Sequence, residues 1–491
     1  MIAAYCWPQS ARHEESIEIF CHTSAEQFRI EVIRQGAEDK TVHVQNGIVG
    51  REQIIADNIA VEGCRWNPSL GLFIDPGWPS GFYLVRVEDS GANKTETFFV
   101  VRATEPSDAL WVLSTSTWNA YNTWGGLSFY TGGHIVSPRR PLQPGFLSKA
   151  DPYRHRVARF MDWSKDDARA FLAAGYDQWS MAAGWANWEI LFARWAETEG
   201  YNFNYAVSQD LDQHPDLLDG YPAYISVGHD EYWSAGMRNT VEDYIDAGGH
   251  AAFFSGNTSF WQVRFDDDYR QMTGYKCDIE EDPLYKTSDK PGDAPALSTM
   301  WSDPLVGRPE SQMTGVSFTR GGYTHMPNSP EGTGGYAVCQ PDHWAFESTS
   351  LALGDTLGAE GIVAGYECDG CELTEVDGRL VTKDGSDTPA GFEVLATAPA
   401  RLWETEQAAG DLADNYVGEL NWVAQRIGGS DTPEMRERFA DGHAVMGSFK
   451  RGYGEVFTTG CTDWAYGLRG NDVADVTRNV LQHFIRNRHN A

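Results

Sequence analysis

One stretch, residues 221–265, constrains the fold of this chain more than any other. It opens with an apolar run over 223–227, which has the length of a buried strand. An amphipathic helical pattern follows and ends at Gly248 and Gly249, and a second apolar run covers 251–254. Strand, helix and strand in this order predict a parallel pair of strands joined by a right-handed helical crossover.

Polar residues gather where both of these predicted strands end. His229, Asp230 and Glu231 follow the first strand, and Asn257 follows the second. In open α/β sheets, ligands bind outside the carboxyl ends of the strands, so we expect the active site at this edge. One of the two carboxylates, Asp230 or Glu231, is equally suited to the simpler role of stabilising the N-terminus of the next helix.

The first part of the chain, residues 1–104, has the pattern of an all-β domain. Apolar and polar residues alternate in several short segments that are separated by turn residues, which is typical of strands with one buried face. So many strands in about a hundred residues predict a β-sandwich of the immunoglobulin type. The segments are 17–21, 28–33, 41–44, 82–87 and 97–101.

The remainder, residues 105–491, alternates predicted strands and helices and therefore belongs to the α/β class. This order predicts a mostly parallel sheet. The first strand of the region, predicted over 110–113, leads into a polar and aromatic segment that contains Tyr121. Residues 265–342 lack periodicity and are rich in turns and charges, so we expect an irregular insertion that lies over the edge of the sheet.

Composition excludes several classes of partner. The chain has 491 residues and a formal net charge of -32, from 70 acidic and 38 basic residues. A protein this acidic repels the phosphates of nucleic acids and of anionic membranes. The sequence contains no apolar run of membrane-spanning length, and its first residues lack the pattern of a signal peptide. These features predict a cytoplasmic location.

Motifs for covalent catalysis are weak in this sequence. Cys461 follows a predicted strand, but the His-x-Glu that accompanies a glutaminase cysteine does not occur after it. No G-x-S-x-G elbow is present. Cys368 and Cys371 form a single CxxC without the second pair that a zinc site needs. An activated water on a metal is therefore the more economical hydrolytic mechanism.

Several motifs, in this order along the chain, resemble the large (β) subunit of N,N-dimethylformamidase. They are TWNAYNTWGG, GHDEYWS, GG followed by FFSGNTSFWQVRF, HWAFES and GEVFTTGCTDWAYGL. The resemblance covers roughly residues 105–488, and the β-rich start of the chain also looks like a domain of that family. It implies a class I glutaminase-like (flavodoxin-like) fold for residues 105–491.

The resemblance also implies a function. Enzymes of this family hydrolyse the C–N bond of dimethylformamide, so a small amide or formamide-like substrate is expected here. Their mononuclear iron (Fe³⁺) is held by two tyrosines and one glutamate. Tyr232, in the HDEYWS motif, is the residue carried over as a ligand, and Glu310 is the candidate for the glutamate. The second tyrosine has no clear match, since Tyr201 and Tyr205 are weaker substitutes.

The leading hypothesis from the sequence is thus a metal-dependent amide hydrolase. His229, Asp230 or Glu231 would handle protons, and Asn257 and Tyr121 would orient the substrate. The resemblance implies a small partner subunit, with a homo-oligomer as the other assembly. A non-catalytic or carbohydrate-associated binding protein on the same fold is the alternative function, because several of the 18 tryptophans follow predicted strands and are suited to stacking on a sugar. An amidotransferase-like enzyme that uses Cys461 is a third possibility.

Overall fold

The computed structural model of the protein describes residues 1–266, 268–286, 294–326, 328–330, 332–407 and 418–486. These residues form two compact units. Unit 1 comprises residues 1–156, 162–221 and 265–273, and unit 2 comprises residues 157–161, 222–264 and 274–491. The predicted boundary at residues 104 and 105 falls inside unit 1. Parts of the predicted insertion, residues 267, 287–293, 327 and 331, lie outside the described residues.

Unit 1 begins with the strands that the alternating pattern predicted. Its strands of three or more residues are β1 (Ile2–Trp7), β2 (Ser10–Arg12), β3 (Ser16–Thr23), β4 (Gln27–Gln35), β5 (Lys40–Val49), β6 (Leu70–Phe73), β7 (Gly81–Asp89), β8 (Lys94–Arg102), β9 (Ala109–Leu113) and β10 (Phe203–Val207). Its helices are α1 (Ile59–Glu62), α2 (Thr115–Tyr121), α3 (Lys165–Ala173), α4 (Glu189–Thr198) and α5 (Ser208–Gln213).

The first eight strands of unit 1 form two sheets around one hydrophobic core. One sheet has the order β1-β3-β6 and the other the order β2-β8-β7-β4-β5. Ile17 and Ile19 from the first sheet are buried in the same cluster as Ile30, Val85 and Phe99 from the second. The shared core is the reason why alternate residues of these strands are apolar. An immunoglobulin-like topology stays a prediction.

The α/β pattern begins within unit 1. Strands β9 and β10 are parallel neighbours and are buried along their whole length, as the continuous apolar runs predicted. The helical spacing of apolar residues over 183–200 predicts a helix there, and the helix begins later, at Glu189, because the preceding residues form turns.

Unit 2 contains the strand–helix–strand stretch and the rest of the chain. Its strands of three or more residues are β11 (Ala223–His229), β12 (Tyr232–Ser234), β13 (His250–Gly256), β14 (Trp261–Phe265), β15 (Ser317–Tyr323), β16 (Tyr336–Val338), β17 (Glu367–Gly370), β18 (Leu373–Val376), β19 (Arg379–Thr382), β20 (Glu393–Arg401), β21 (Asp441–Arg451) and β22 (Gly454–Thr458).

The helices of unit 2 include the one that the amphipathic pattern before Gly248 predicted. They are α6 (Ala235–Asp246), α7 (Pro283–Lys286), α8 (Ser311–Thr314), α9 (Leu420–Arg426), α10 (Pro433–Ala440) and α11 (Asn471–Arg486). Helix α6 begins at Ser234, whose hydroxyl accepts the N–H of Met237. Across the described residues, no helix has the length and apolar character needed to cross a membrane.

The central sheet of unit 2 has the order β11-β13-β22-β21-β20-β15-β17. The first three strands are parallel, and every later neighbour in this order is antiparallel. The sheet is therefore mixed, and the prediction of a mostly parallel sheet is wrong for this half. The reason is the connections: β21 returns to β22 through a tight turn, which makes the two strands antiparallel, whereas the helical crossover from β11 to β13 makes those strands parallel.

Two local predictions have opposite outcomes. The crossover from β11 through α6 to β13 is confirmed, and its register pairs His229 with Gly256 at the carboxyl ends of the two strands. The apolar run over 362–365 also predicts a strand. This prediction is wrong, and the strand lies at β17 instead. Ile362 has a φ of 50°, which a strand does not accommodate, although its apolar neighbours are buried.

Candidate active site

A buried cluster of polar side chains lies at the carboxyl ends of β11 and β13. His229 is the last residue of β11, and Asn257 follows β13 directly. Asn257 has a φ of 48°, a left-handed conformation that asparagine tolerates better than most residues. Its Nδ2 lies 3.4 Å from Nε2 of His229. The in-register pairing of the two strands thus brings together two residues that are 28 positions apart.

The centre of the cluster is a histidine–carboxylate pair. Nε2 of His229 lies 2.7 Å from Oε2 of Glu367, the first residue of β17, and 3.3 Å from Oε2 of Glu231. Nδ2 of Asn257 also donates to Oε2 of Glu367, at 3.1 Å. The side chain of His229 is fully buried. At 2.7 Å, a ring nitrogen and a carboxylate oxygen must share a proton, because two lone pairs would repel each other.

A second carboxyl group, Glu419, lies among the charges of this cluster. The hydroxyl of Tyr323 donates to Oε2 of Glu419 at 2.8 Å. Burial raises the pKa of Glu419 to about 7, and the negative charges of Glu367 and Glu231 raise it as well. The hydrogen bond from Tyr323 and the positive charge of Lys276 act in the opposite direction. Glu419 therefore exchanges its proton near neutral pH.

Lys276 and Tyr366 complete the surroundings of these acids. Lys276 is buried, which lowers its pKa, while the charge of Glu231 opposes that shift. Its ammonium group lies 5.2 Å from the centre of the Trp261 ring, a favourable cation–π distance. The ring of Tyr366 meets His229 edge to face at 5.8 Å, and burial raises the pKa of its phenol well above the ordinary range.

Asp369 lies beside the pair as a carboxyl group that burial keeps protonated at neutral pH. Because side chains alternate along a strand, Asp369 shares a face of β17 with Glu367. Its Oδ2 accepts the backbone N–H of Thr258 at 3.1 Å, and its Oδ1 has no hydrogen-bond partner within the part of the chain that the structure describes. Burial raises the pKa of Asp369 from 3.8 to about 8.

The structure brings three of the predicted residues together, namely His229, Glu231 and Asn257. The carboxylate of Asp230 is held in place by two hydrogen bonds, which it accepts from the Ser226 hydroxyl at 2.7 Å and from Nε1 of Trp233 at 3.0 Å. Tyr121 belongs to unit 1, where its hydroxyl donates to that of Tyr130 at 2.7 Å.

Comparison with known proteins decides the family. Residues 29–477 match the family described as N,N-dimethylformamidase beta subunit-like, C-terminal. The chain belongs to this family. The N,N-dimethylformamidase beta subunits of an Alcaligenes species and of Paracoccus aminophilus are each 22% identical to it over 462 residues, covering 87% of this chain and 55% of the relative. The chain thus spans about half the length of the curated relatives it matches.

Similarity to solved structures is weaker. Murine CRIg matches 21% of this chain and 99% of its own, at 13% identity and a TM-score of 0.15. A score this low does not support a shared fold. The assignment to the dimethylformamidase family therefore depends on the sequence matches.

The iron site that the family resemblance implies stays a prediction, and the structure shows the surroundings of the two residues carried over as ligands. Tyr232 is fully buried in β12, opposite Trp261 of β14. Glu310 has both carboxylate oxygens hydrogen-bonded, one by the Ser302 hydroxyl at 2.5 Å and the other by the Ser317 hydroxyl. Across the described ranges, no group of three or more His, Cys, Asp or Glu side chains has the arrangement of a metal site.

Several residues of the cluster escape sequence reasoning. Glu367 and Asp369 lie beside and within the CxxC segment. Their spacing of two residues could have indicated that both carboxylates lie on one face of a strand. Tyr323, Tyr366 and Lys276 lie in or after the predicted insertion and carry no comparable signal. Glu419 begins a short helix, which gives it the pattern of an ordinary surface acid.

The two remaining hypotheses from the sequence lose support. Burial raises the pKa of the Cys461 thiol to about 12, so a thiolate nucleophile is unfavourable there. The tryptophans that follow the strands, Trp233, Trp261 and Trp464, are at most 1% exposed. Side chains buried this deeply belong to the core and cannot stack on a sugar.

Replacement of Asp369 by asparagine tests the neutral state of this buried acid. A folded-state pKa raised from 3.8 to about 8 means that stability from the protonated form is complete below pH 4 and is lost as the pH rises to 8. Asp369→Asn keeps the site neutral, so its stability relative to the wild type should rise by up to about 1.4 kcal/mol per pH unit over this interval. Urea unfolding between pH 5 and pH 8 measures it.

Asp243→Asn on the exposed face of α6 is the matched control, since it makes the same chemical change in solvent. Its stability difference from the wild type should stay constant across the interval. A constant difference for Asp369→Asn as well would contradict the assignment of a buried neutral carboxyl group.

Proposed function

We propose that this chain hydrolyses the C–N bond of a small amide or formamide-like substrate. The observation that carries the proposal is the buried His229–Glu367 pair, with Glu231 and Asn257 against the same ring nitrogen. Hydrolysis of an amide needs one group to take a proton from water and another to give a proton to the leaving amine. Membership in the dimethylformamidase family supports this reaction class.

The histidine–carboxylate pair is suited to act as the general base. A water molecule beside the ring can transfer a proton to the imidazole as its oxygen attacks the carbonyl carbon. The imidazolium that forms lies between the carboxylates of Glu367 and Glu231, at 2.7 and 3.3 Å, and both stabilise its positive charge. Exclusion of solvent from His229 strengthens these interactions.

Glu419 is suited to act as the general acid. With a pKa of about 7, a large fraction of Glu419 is protonated at neutral pH. Its proton can pass to the amine nitrogen as the C–N bond breaks. The carboxylate that remains faces the positive charge of Lys276 and the hydroxyl of Tyr323. The two proposed proton-transfer groups thus differ in chemistry and in environment.

Asn257 is suited to orient the attacking water molecule. Its amide N–H₂ group donates to Glu367, whereas its buried Oδ1 has no hydrogen-bond partner in the described parts of the chain. A buried acceptor without a partner costs free energy, and a bound water that donates to it would remove this cost. A role for Tyr121 in orienting the substrate stays a prediction.

The proposal also includes a partner subunit, and the cofactor is considered with it. The relatives are named as beta subunits, which supports a multi-subunit enzyme with a small partner subunit. The iron that the family resemblance implies also stays a prediction. No step of the proposed reaction passes through iron.

His229→Gln tests the base. The substitution keeps a polar side chain but removes proton transfer, so the turnover number for N,N-dimethylformamide and a panel of small amides should fall by about 10²- to 10⁴-fold. Release of formate and amine measures the rate. His483→Gln is the matched control, because His483 also pairs with a glutamate, Glu455, at 3.0 Å outside the cluster. Equal rates for both variants would contradict the role of His229.

Glu419→Gln tests the acid through the pH profile. Because the acid must be protonated, the wild-type rate should decline as the pH rises above about 7. Glu419→Gln should lower the rate and remove this decline. Tyr323→Phe deletes a hydrogen bond that lowers the pKa of Glu419, so the decline should move to higher pH. An unchanged alkaline limb in both variants would exclude Glu419.

Tyr232→Phe tests the ligand role inferred from resemblance. The resemblance predicts that this variant alone loses stoichiometric iron and a tyrosinate absorption band, measured by elemental analysis and the visible spectrum of protein purified without chelators. Tyr453→Phe, at a residue that is 90% exposed, controls for the loss of a phenol. Equal metal content and spectra in the wild type and in Tyr232→Phe would contradict the ligand role of Tyr232.

A further inference from the structure

Asp369 of β17 is a buried carboxyl group whose two oxygens have different surroundings. The residue is 1% exposed, and its backbone N–H donates to the carbonyl oxygen of Gly460 at 2.9 Å. Oδ2 accepts the backbone N–H of Thr258 at 3.1 Å. Oδ1 is buried as well, and among the described residues it has no hydrogen-bond partner. The proton transfers assigned to His229 and Glu419 leave this carboxyl group without a role.

The surroundings of Asp369 keep a proton on it at neutral pH. Burial raises its pKa to about 8, and the negative charges of Glu310 and Glu367 act in the same direction, whereas the N–H of Thr258 opposes them. Burial also raises the pKa of three titratable groups close by, which therefore carry no charge at neutral pH, namely Cys368, Cys461 and Tyr336. Because the N–H of Thr258 engages a lone pair of Oδ2, the proton belongs on Oδ1.

Asn257 presents a second buried oxygen close to this acid. Asn257 and Thr258 are consecutive residues of the turn after β13, so the bond from Thr258 to Asp369 also holds Asn257 in place. In the described ranges, Oδ1 of Asn257 and Oδ1 of Asp369 both lack a hydrogen-bond partner, so the two atoms do not bond to each other. The turn thus carries one acceptor, and β17 carries one donor. A buried polar atom without a partner costs free energy, and a bound ligand that pairs with it removes this cost.

We propose that Asp369 is a further catalytic residue, whose Oδ1–H donates a hydrogen bond to the carbonyl oxygen of an amide or formamide-like substrate. This inference rests on the proposed hydrolysis of C–N bonds. Donors that face a developing oxyanion in a buried site stabilise the transition state of acyl transfer. A neutral carboxyl group is such a donor, whereas an ionised carboxylate would repel the oxyanion.

The electrons and protons of this step balance without a further reactant. The oxygen of water forms a bond to the carbonyl carbon, and a proton of that water passes to His229. The π electrons of the carbonyl group move to its oxygen, which accepts the hydrogen bond from Asp369, while the hydroxyl that remains from water donates to Oδ1 of Asn257. When the C–N bond breaks, its electron pair leaves with the nitrogen, which takes the proton of Glu419, and the carbonyl group forms again. Asp369 keeps its own proton throughout.

Asp369→Asn tests the donor through the pH profile of kcat. The side-chain amide can accept from Thr258 and donate from its other end at every pH, whereas Asp369 loses its proton above about pH 8. Release of acid and amine from N,N-dimethylformamide and a panel of small amides measures kcat. The ratio of kcat in Asp369→Asn to kcat in the wild type should rise about tenfold between pH 7 and pH 9.

Asp177→Asn is the matched control for this profile, and its kcat ratio to the wild type should stay constant. Asp177 is another carboxyl group whose pKa burial raises, but both of its oxygens accept hydrogen bonds, from the Thr123 hydroxyl at 2.7 Å and the Ser180 N–H at 3.0 Å. A purely structural role of Asp369 would give a constant ratio for Asp369→Asn as well.

Asp369→Ala removes the donor altogether. Its kcat should fall by about 10²- to 10³-fold while KM changes far less, because the oxyanion forms only after the substrate has bound. Asp369→Asn keeps a donor and an acceptor, so it should restore most of this loss. Its pH profile remains informative if Asp369→Ala fails to fold.

Infrared spectroscopy detects the same hydrogen bond without turnover. In His229→Gln, N,N-dimethylformamide labelled with ¹³C at the carbonyl group should bind with a lower carbonyl stretching frequency than in His229→Gln combined with Asp369→Ala. If the wild type hydrolyses amides, a constant kcat ratio for Asp369→Asn or equal frequencies would overturn the role of Asp369 and leave the proposed function standing. If the wild type hydrolyses no amide, the proposed function fails, and equal frequencies or the absence of bound probe would overturn the role of Asp369 too. A lower frequency would then support Asp369 as the donor to a bound carbonyl group.

Discussion

The shared proton between His229 and Glu367 is the interaction on which the rest of the candidate site depends. Within the residues that the structure describes, it lies in a cluster that buries four carboxyl groups, Glu231, Glu367, Asp369 and Glu419, together with two basic side chains, His229 and Lys276. Four buried anions with two cations would leave an excess of negative charge that a low-dielectric interior does not tolerate. The raised pKa values of Asp369 and Glu419 relieve this excess, because both groups are able to hold a proton near neutral pH. The cluster is thus balanced by protonation as well as by ion pairing.

The sequence could predict the half of this site that local patterns encode. His229, Glu231 and Asn257 follow strands of one crossover, and the in-register pairing of those strands fixes their proximity. Glu367 could not be found in this way, since it comes from a strand in the antiparallel part of the sheet and lies 110 positions from Asn257. The same limit applies to the fold. Apolar runs predict that a strand is buried, but the partner and direction of that strand depend on connections that carry no periodic signal.

Individual misses have specific physical causes. The apolar residues that follow Gly361 resemble a short strand, but the left-handed φ of Ile362 ends that possibility, and β17 begins at Glu367. Glu310 resembles a free acid in a variable segment, yet the hydroxyls of Ser302 and Ser317 satisfy its carboxylate. In each case the decisive feature, a backbone angle or the position of a hydroxyl group, has no signal in the pattern of apolar and charged residues. Resemblance to a family gives the order of motifs along the chain, and it does not give these contacts.

Burial and chemistry are coupled throughout the candidate site. Isolation from water raises the pKa of Glu419 until it can serve as an acid at neutral pH, and it strengthens the attraction between an imidazolium at His229 and its two carboxylates. The same isolation makes each ionised group costly to the folded state, which is why Asp369 is expected to stay neutral. Removal of the charge at Asp369 should therefore stabilise the protein at high pH, whereas Glu419 can gain or lose its proton near neutral pH. Burial thus has different consequences for two carboxyl groups of the same cluster.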